Sequence, residues 1–455
     1  MIPLTPFSGR RIGVLGLGKS GLATVRAGLA GGAEVLAWDD SAERRNGLGD
    51  VRMTDLAGLD WRPEDLLVPA PGIPLTHPAP HPAIAAAMAA GATVTGDIDL
   101  YQRCCPDTVF VGITGTNGKS TTTALLAHIL NQCGRPAVAA GNIGTPVLEL
   151  EPPKPGAIQV LELSSYQLDL TRSFRPDVGV FLNLTPDHLD RHGDMAGYLA
   201  AKERMFANMT AEGRCIVGVD DSYGVELAGR LRERGLTVIE VAVGRSLPEG
   251  VYVLDGRLYE DGLSVCDLSR AQGLPGAHNH QNAAVAWAAE RALGCAPDAI
   301  ARAIARFPGL AHRIERIGAV GGVSFYNDSK ATNAEAAAKA LAAFGDIHWI
   351  AGGKPKAGGL AAALPFTGGV RRAYLIGEAA QDFAAELDGV TDTVGCGTLA
   401  NAVEAAWQDA RQAGGGTVLL SPACASFDQF PNFEARGEAF RAAAEFIIQR
   451  EGAGE

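Results

Sequence analysis

The stretch from Val109 to Thr123, Val-Phe-Val-Gly-Ile-Thr-Gly-Thr-Asn-Gly-Lys-Ser-Thr-Thr-Thr, constrains this chain more than any other. An apolar β-branched run enters glycines at 112, 115 and 118, then a Lys119-Ser120 pair, then residues able to cap and start a helix. Strand, glycine loop and helix in that order make a phosphate site, because the loop aims backbone N–H groups inward at a helix N-terminus. Lys119 offers a cation to the terminal phosphates and Ser120 a hydroxyl to their magnesium. The general G-x-x-x-x-G-K-[ST] pattern requires glycine where Ile113 stands, so the loop is a variant. A glycine turn without nucleotide is the plainer alternative, and Gly-Lys-Ser between a strand and a helix argues against it.

A chain of 455 residues has room for about three domains of ~150 residues. Its net charge of -12 opposes a broad surface for a phosphate backbone, so no nucleic-acid partner is expected. Eight cysteines include no C-x-x-C pair, which suggests neither a zinc site nor a disulfide framework, and reduced thiols are expected. The opening residues show no basic segment followed by an apolar core, and no run approaches the ~20 apolar residues of a membrane span. The expectation is a cytoplasmic monomer with no membrane partner.

The first domain opens at Arg11 with a strand, a Gly16-x-Gly18-x-x-Gly21 turn and an Ala-rich helix through Ala30. A second strand, Glu34 to Trp38, ends at Asp39, which is 23 residues past Gly16 (39 minus 16). That matches a dinucleotide fingerprint, but the turn serves any diphosphate at a helix N-terminus. NAD, a UDP-sugar or simple helix-strand packing all remain open on these residues. Strand Leu66 to Val68 runs into the rigid Pro69-Ala70-Pro71-Gly72-Ile73-Pro74 loop, and a boundary is expected near Asp97.

In the second domain the strand-to-loop pattern of a parallel sheet recurs. Glu162 ends an apolar strand, where an unpaired carboxylate is costly, so it calls for a metal or a base. A structural ion pair is the alternative. Strand Val178 to Leu184 leads to Thr185-Pro186-Asp187-His188, and His188 beside a phosphate loop is a candidate magnesium contact. Tyr198 and Lys202 share one face of a helix reading Met195 to Met205; by itself such a lysine reads as solvated surface. His278-Asn279-His280-Gln281-Asn282 precedes an Ala-rich helix, with Asn279 and Asn282 free to read an adenine edge or to cap.

The third domain begins after Leu310. Its strand Val323 to Asn327 ends in Asp328-Ser329-Lys330-Ala331-Thr332-Asn333, a polar density that turn chemistry alone does not explain. Strand His348 to Ala351 enters a glycine-flanked basic loop through Lys354 and Lys356, suited to an anion. Strand Thr417 to Leu420 enters Ser421-Pro422-Ala423-Cys424-Ala425-Ser426-Phe427-Asp428-Gln429-Phe430. Strand-end loops with ATP, anion and diphosphate features together suggest an ATP-driven joining of two substrates.

Gly112-Ile-Thr-Gly-Thr-Asn-Gly-Lys-Ser-Thr resembles the phosphate loop of the Mur ligases of peptidoglycan synthesis, and the likeness runs over essentially the whole chain. Asn327 to Asn333 and Ser421 to Phe430 are similar to the glutamate-adding branch. The resemblance implies three α/β domains: a Rossmann-like UDP-binding domain over 1–97, a P-loop ATPase domain over 98–308 and a Rossmann-like amino-acid-binding domain over 309–455. It implies ATP and Mg2+, in two sites, as cofactors, no NAD, and UDP-N-acetylmuramoyl-L-alanine and D-glutamate as substrates. ATP would phosphorylate the alanyl carboxylate, and the amine of glutamate would attack the acyl phosphate.

By the same resemblance the nucleotide contacts are Gly112, Thr114, Gly115, Thr116, Asn117, Gly118, Lys119, Ser120 and Thr121, with Asn279, Asn282, Arg313 and Asp328. Ser120 and Glu162 would hold one magnesium and His188 another, while Lys202 would carry a carbamate that supports the metals. Lys19, Ser20 and Asp39 would face the UDP moiety and Asn142 the muramoyl-alanine end. Lys330, Thr332, Lys356, Ser426 and Phe433 would surround glutamate. Three positions depart from the family pattern: Ala70 stands for a common serine, and Lys354 and Gly359 for common acids. Rival readings are other amide ligases of this superfamily or a folylpolyglutamate-type ligase, a P-loop ATPase switch, and an NAD-dependent dehydrogenase.

Overall fold

Parallel pairing of Arg11–Leu15 with Glu34–Trp38 on one side and Leu66–Pro69 on the other builds the first sheet. Arg52–Met53 and Thr93–Val94 complete its two edges, again in parallel. The computed structural model describes residues 1–46, 51–276, 278–356 and 358–452. Between the first two strands runs the helix Lys19–Ala30. Its approach to the turn demands glycine: a Cβ on Gly21 would lie 1.8 Å from the Gly16 carbonyl oxygen.

The second sheet has nine strands, with the phosphate-loop strand Val109–Thr114 between Ile158–Glu162 and Val178–Phe181. All three run parallel, with Ile113 opposite Glu162 and Thr114 opposite Phe181. Three strand exits therefore open side by side, at the carboxyl ends where open α/β sheets bind ligands. Beyond Arg214–Gly218 the sheet extends through Thr237–Val243 and Val251–Leu254 to an antiparallel pair, Arg257–Glu260 and Leu263–Asp267. Its two turns are Asp255-Gly256 and Asp261-Gly262, all four residues at positive φ, the backbone that two-residue hairpins demand.

The third sheet runs Glu315–Val320, Val323–Asn327, Gly416–Leu420, Ile347–Gly352, Val370–Ile376, Thr393–Gly397, and only its first pair is antiparallel. Three parallel-rich sheets match the expected three-domain α/β fold. By compactness the chain parts into two units, residues 1–268 with 280–304, and residues 269–279 with 305–455. Within the first unit one core runs from Ile12 and Val14 of the first sheet to Phe110, Leu161 and Phe181 of the second. We keep 1–97, 98–308 and 309–455 as a proposed division by sheet.

Two local readings change. His278 to Asn282 do not precede the Ala-rich helix; they begin it, at His278–Ala292. Side chains that compete for backbone bonds are tolerated there, since the first N–H groups of a helix have no partner within it. The Met195 helix ends at Glu203 and continues as a 3-10 turn over Arg204–Phe206. Among the described residues no helix is long and apolar enough to cross a membrane.

Candidate functional site

The variant glycine spacing has a steric basis. Gly118, at φ +86°, caps the helix Lys119–Gln132, and a Cβ on it would sit 2.2 Å from Asn282 Oδ1. Gly115, at φ +147°, would press a Cβ to 2.8 Å from that of Leu182. Ile113 is instead a buried strand residue. The loop is braced from the neighbouring strand exit: Thr116 N and Asn117 N donate to the main-chain and side-chain oxygens of Asn183, each at 2.9 Å. Thr114 Oγ1 donates to Leu163 O, and Thr122 Oγ1 to Asn282 Oδ1. Ser120 and Thr121 lie in the first turn of the helix. Asn183, which in turn donates to Gln281 at 2.7 Å, was not singled out from sequence; a polar residue ending an apolar run before Thr185 was its signal.

Two lysines converge on one carbonyl. Lys119 Nζ donates to Gly115 O at 3.0 Å and Thr116 O at 2.9 Å, while Lys202 Nζ donates to Gly115 O at 2.8 Å. Lys202 is 1% exposed, its ammonium position 4.5 Å from the centre of the Tyr198 ring. This corrects the surface reading of that helix position, because Tyr198 and Lys202 both face the loop and not solvent. Burial, and then the charge of Lys119, push its pKa well below the ordinary lysine value, against the pull of Asp187. A neutral amine is a nucleophile.

Glu162 closes its strand almost fully buried. Its Oε1 accepts from Asn142 Nδ2 at 3.0 Å, which joins two residues assigned separately from sequence. Its Oε2 is buried with no hydrogen-bond partner. Such an oxygen is costly unless a cation satisfies it, so the donor set fits a divalent metal. Among the described residues no three His, Cys, Asp or Glu side chains converge as a metal cage.

His188 sits at φ 53° and presents a half-exposed ring whose Nδ1 lies 3.1 Å from Tyr166 Oη, leaving Nε2 3.4 Å from Asp187. Arg191, overlooked in the sequence, is buried over the Tyr166 ring and donates to Ile73 O at 2.9 Å. It thus ties the His188 segment to the Pro71-Gly72-Ile73 turn of the first sheet.

In the first domain Asp39 is committed to backbone. Its oxygens accept from Leu17 N at 2.7 Å and Ser41 N at 2.9 Å. Burial raises its pKa, but these bonds and Arg44 outweigh it and hold the carboxyl below its ordinary value. Lys19 is exposed and Ser20 half-buried at the start of the helix. Ala70 packs on the turn, its Cβ 2.8 Å from where a Gly16 Cβ would be.

The second compact unit gathers most of the remaining candidates. Asp328 is buried; it accepts from Ser421 Oγ at 2.8 Å and Ile314 N at 3.2 Å. Lys330 Nζ lies 5.1 Å from the Phe433 ring centre, and Ser426 is buried. Thr332 is half-buried and Lys356 exposed; Ala357 beside it lies outside the described residues. Arg313 has its Nε buried without a hydrogen-bond partner. Asn279 Nδ2 donates to Pro275 O at 2.6 Å within this unit, whereas Asn282 belongs to the first. The missing acid at Gly359 is accounted for: Glu386 occupies that space, 2.2 Å from a Gly359 Cβ, and accepts from Leu360 N at 2.7 Å.

Burial raises the Asp328 pKa to about 7, against Ser421 and Arg313. Between about pH 4 and pH 7 the folded state then holds a proton that the unfolded state has lost, so this group makes stability fall as pH rises. Asp328→Asn is expected to flatten the pH dependence of the unfolding midpoint in that window, read by thermal melts in matched buffers. An unchanged slope would contradict it.

Relatives follow the same plan. Residues 113–290 match the Mur ligase middle domain, and residues 312–424 the glutamate ligase domain of Mur ligases. The UDP-N-acetylmuramoylalanine–D-glutamate ligase of Nitrobacter winogradskyi is 50% identical over 97% of both chains. The chain belongs to the Mur ligase family. The ligase of the same name from Cereibacter sphaeroides is 51% identical to this Mur ligase, over 97% of it and 98% of the relative. At the level of fold it is similar to a solved UDP-N-acetylmuramate-alanine ligase of Thermotoga maritima, with TM-score 0.56, 16% identity and coverage of 98% and 100%.

Proposed function

We propose that this Mur ligase joins D-glutamate to UDP-N-acetylmuramoyl-L-alanine at the expense of ATP, as a cytoplasmic step of peptidoglycan synthesis. The observation that carries this reading is Lys119 and Lys202 on the Gly115 carbonyl beside Glu162, whose Oε2 has no partner. An oxygen of the alanyl carboxylate attacks the terminal phosphorus of ATP and ADP leaves. The glutamate amine then attacks the acyl carbon and phosphate leaves, so one amide forms for each ATP cleaved.

Negative charge gathers around phosphoryl oxygens in both steps, and catalysis depends on cations placed beforehand. Lys119 and the N–H groups at the N-terminus of its helix hold the β- and γ-phosphates. Bound magnesium would neutralise phosphate charge, with Ser120, Glu162, His188 and a carbamate on Lys202 as the residues to hold it. Asn142, fastened to Glu162, places the muramoyl-alanine end beside the phosphates. Asn282, Asn279, Arg313 and Asp328 receive the nucleotide. Lys330 and Lys356 take the two carboxylates of glutamate, with Thr332, Ser426 and Phe433 around its chain. In the first domain Lys19 and Ser20 serve the diphosphate at the helix N-terminus. Asp39 acts by shaping the Leu17 turn.

Phosphate release is expected only with ATP, UDP-N-acetylmuramoyl-L-alanine and D-glutamate together, followed by a coupled phosphate assay across an amino-acid panel with both glutamate enantiomers. ATP turnover with neither other substrate would favour an ATPase switch and overturn the ligase reading.

A further inference from the structure

The three strand-exit loops assigned to glutamate meet over one buried side chain. Arg436, the fourth residue of the helix Phe433–Gly452, is only 1% exposed. Its Nε donates to Ser329 Oγ at 3.0 Å, and its Nη2 to Ser329 O at 2.8 Å and Cys424 O at 3.0 Å. Its Nη1 reaches Ala425 O at 3.4 Å. Ala425 O also accepts from Lys354 N at 2.9 Å, and a Cβ on Gly353 would lie 3.1 Å from Nη1. The guanidinium thus sits under the Ser329-Lys330 segment, the Cys424-Ala425-Ser426 segment and the Gly353-Lys354 segment together.

The same group also reaches Phe433. Ser329 Oγ, which accepts from Arg436, donates to Phe433 O at 2.8 Å, and Lys330 lies over the Phe433 ring. The hydrogen-bond partners found for Arg436 are carbonyls and a hydroxyl, not carboxylates, and a buried cation so placed is costly. Burial accordingly lowers its pKa to about 10. A planar fork with five donors is suited to fixing three separate loop carbonyls at once; a lysine is not.

We infer that Arg436 is a positioning residue that holds these loops in register and thereby sets the affinity for glutamate. It touches no substrate; it acts through Lys330, Ser426 and the Gly353 loop. This rests on the glutamate-ligase reading, and the wild-type protein separates the two: no glutamate-dependent phosphate release in wild type counts against that reading and not against Arg436.

The test varies each of the three substrates in turn for Arg436→Lys and for Ser329→Ala, which removes the hydroxyl between Arg436 and Phe433. Losing one or two such bonds corresponds to a glutamate KM raised about tenfold or more, with the KM values for ATP and the UDP-substrate within about twofold. Thermal melts and circular dichroism establish that each variant is folded. A purely structural role would lower stability with the glutamate KM unchanged, or shift all three KM values in parallel, and either overturns the inference. A folded Ser329→Ala with unchanged glutamate KM overturns it also, even where Arg436→Lys fails to fold.

Discussion

Lys202→Ala is expected to lose ligase activity by about 10²–10³-fold, and acetate or formate added to the buffer to restore part of it. The amine stands buried beside Gly115 O, and burial and Lys119 drive its pKa down, which favours the unprotonated form that attacks CO2. The nitrogen lone pair forms an N–C bond, a proton leaves to solvent, and a cation site becomes an anion. In the alanine variant the cavity left along Tyr198 admits a small carboxylate that supplies the same charge. The check is phosphate release across a carboxylate titration, beside wild type in CO2-depleted buffer. A folded variant that no carboxylate rescues would leave the carbamate without support.

Glu162→Gln keeps the size of the side chain and its reach to Asn142, yet removes the charge from a carboxylate whose Oε2 has no partner. The magnesium needed for half-maximal activity is expected to rise about 10–100-fold. Calorimetric titration of magnesium with a non-hydrolysable ATP analogue should show the same weakening. Without metal and nucleotide the variant should melt no lower than wild type, because an unpaired buried charge has been removed. Unchanged magnesium binding would take Glu162 out of the metal site and return it to a structural acid.

Glu162 was legible because an acid ending an apolar strand is anomalous by itself. Lys202 was not, since a lysine four residues from a tyrosine on a short helix reads as surface; only packing against the phosphate loop removes it from water. Resemblance implied a carbamate there, and geometry buries the amine that such a role requires. Asp255-Gly256 and Asp261-Gly262 carry a local hairpin signal in the Asp-Gly pair itself, set between short strands. Arg191 and Arg436 had no local signature, because their bonds reach separate segments, Arg191 to Ile73 and Arg436 to Ser329 as well as to Cys424 and Ala425.

The sequence by itself determined the class of this protein: a strand, a loop with glycines at 112, 115 and 118, then Lys119-Ser120 specify a phosphate site on an α/β sheet. Short-range backbone demands are written locally, in glycines and caps, and so can be read in order along the chain. What only the tertiary structure decided is the electrostatics. Placing Lys119 and Lys202 on one carbonyl, leaving one oxygen of Glu162 without a partner and burying Arg436 under three loops all depend on which strand exits become neighbours. Desolvation, which sets the charge and reactivity of those groups, exists only once the sheets have assembled.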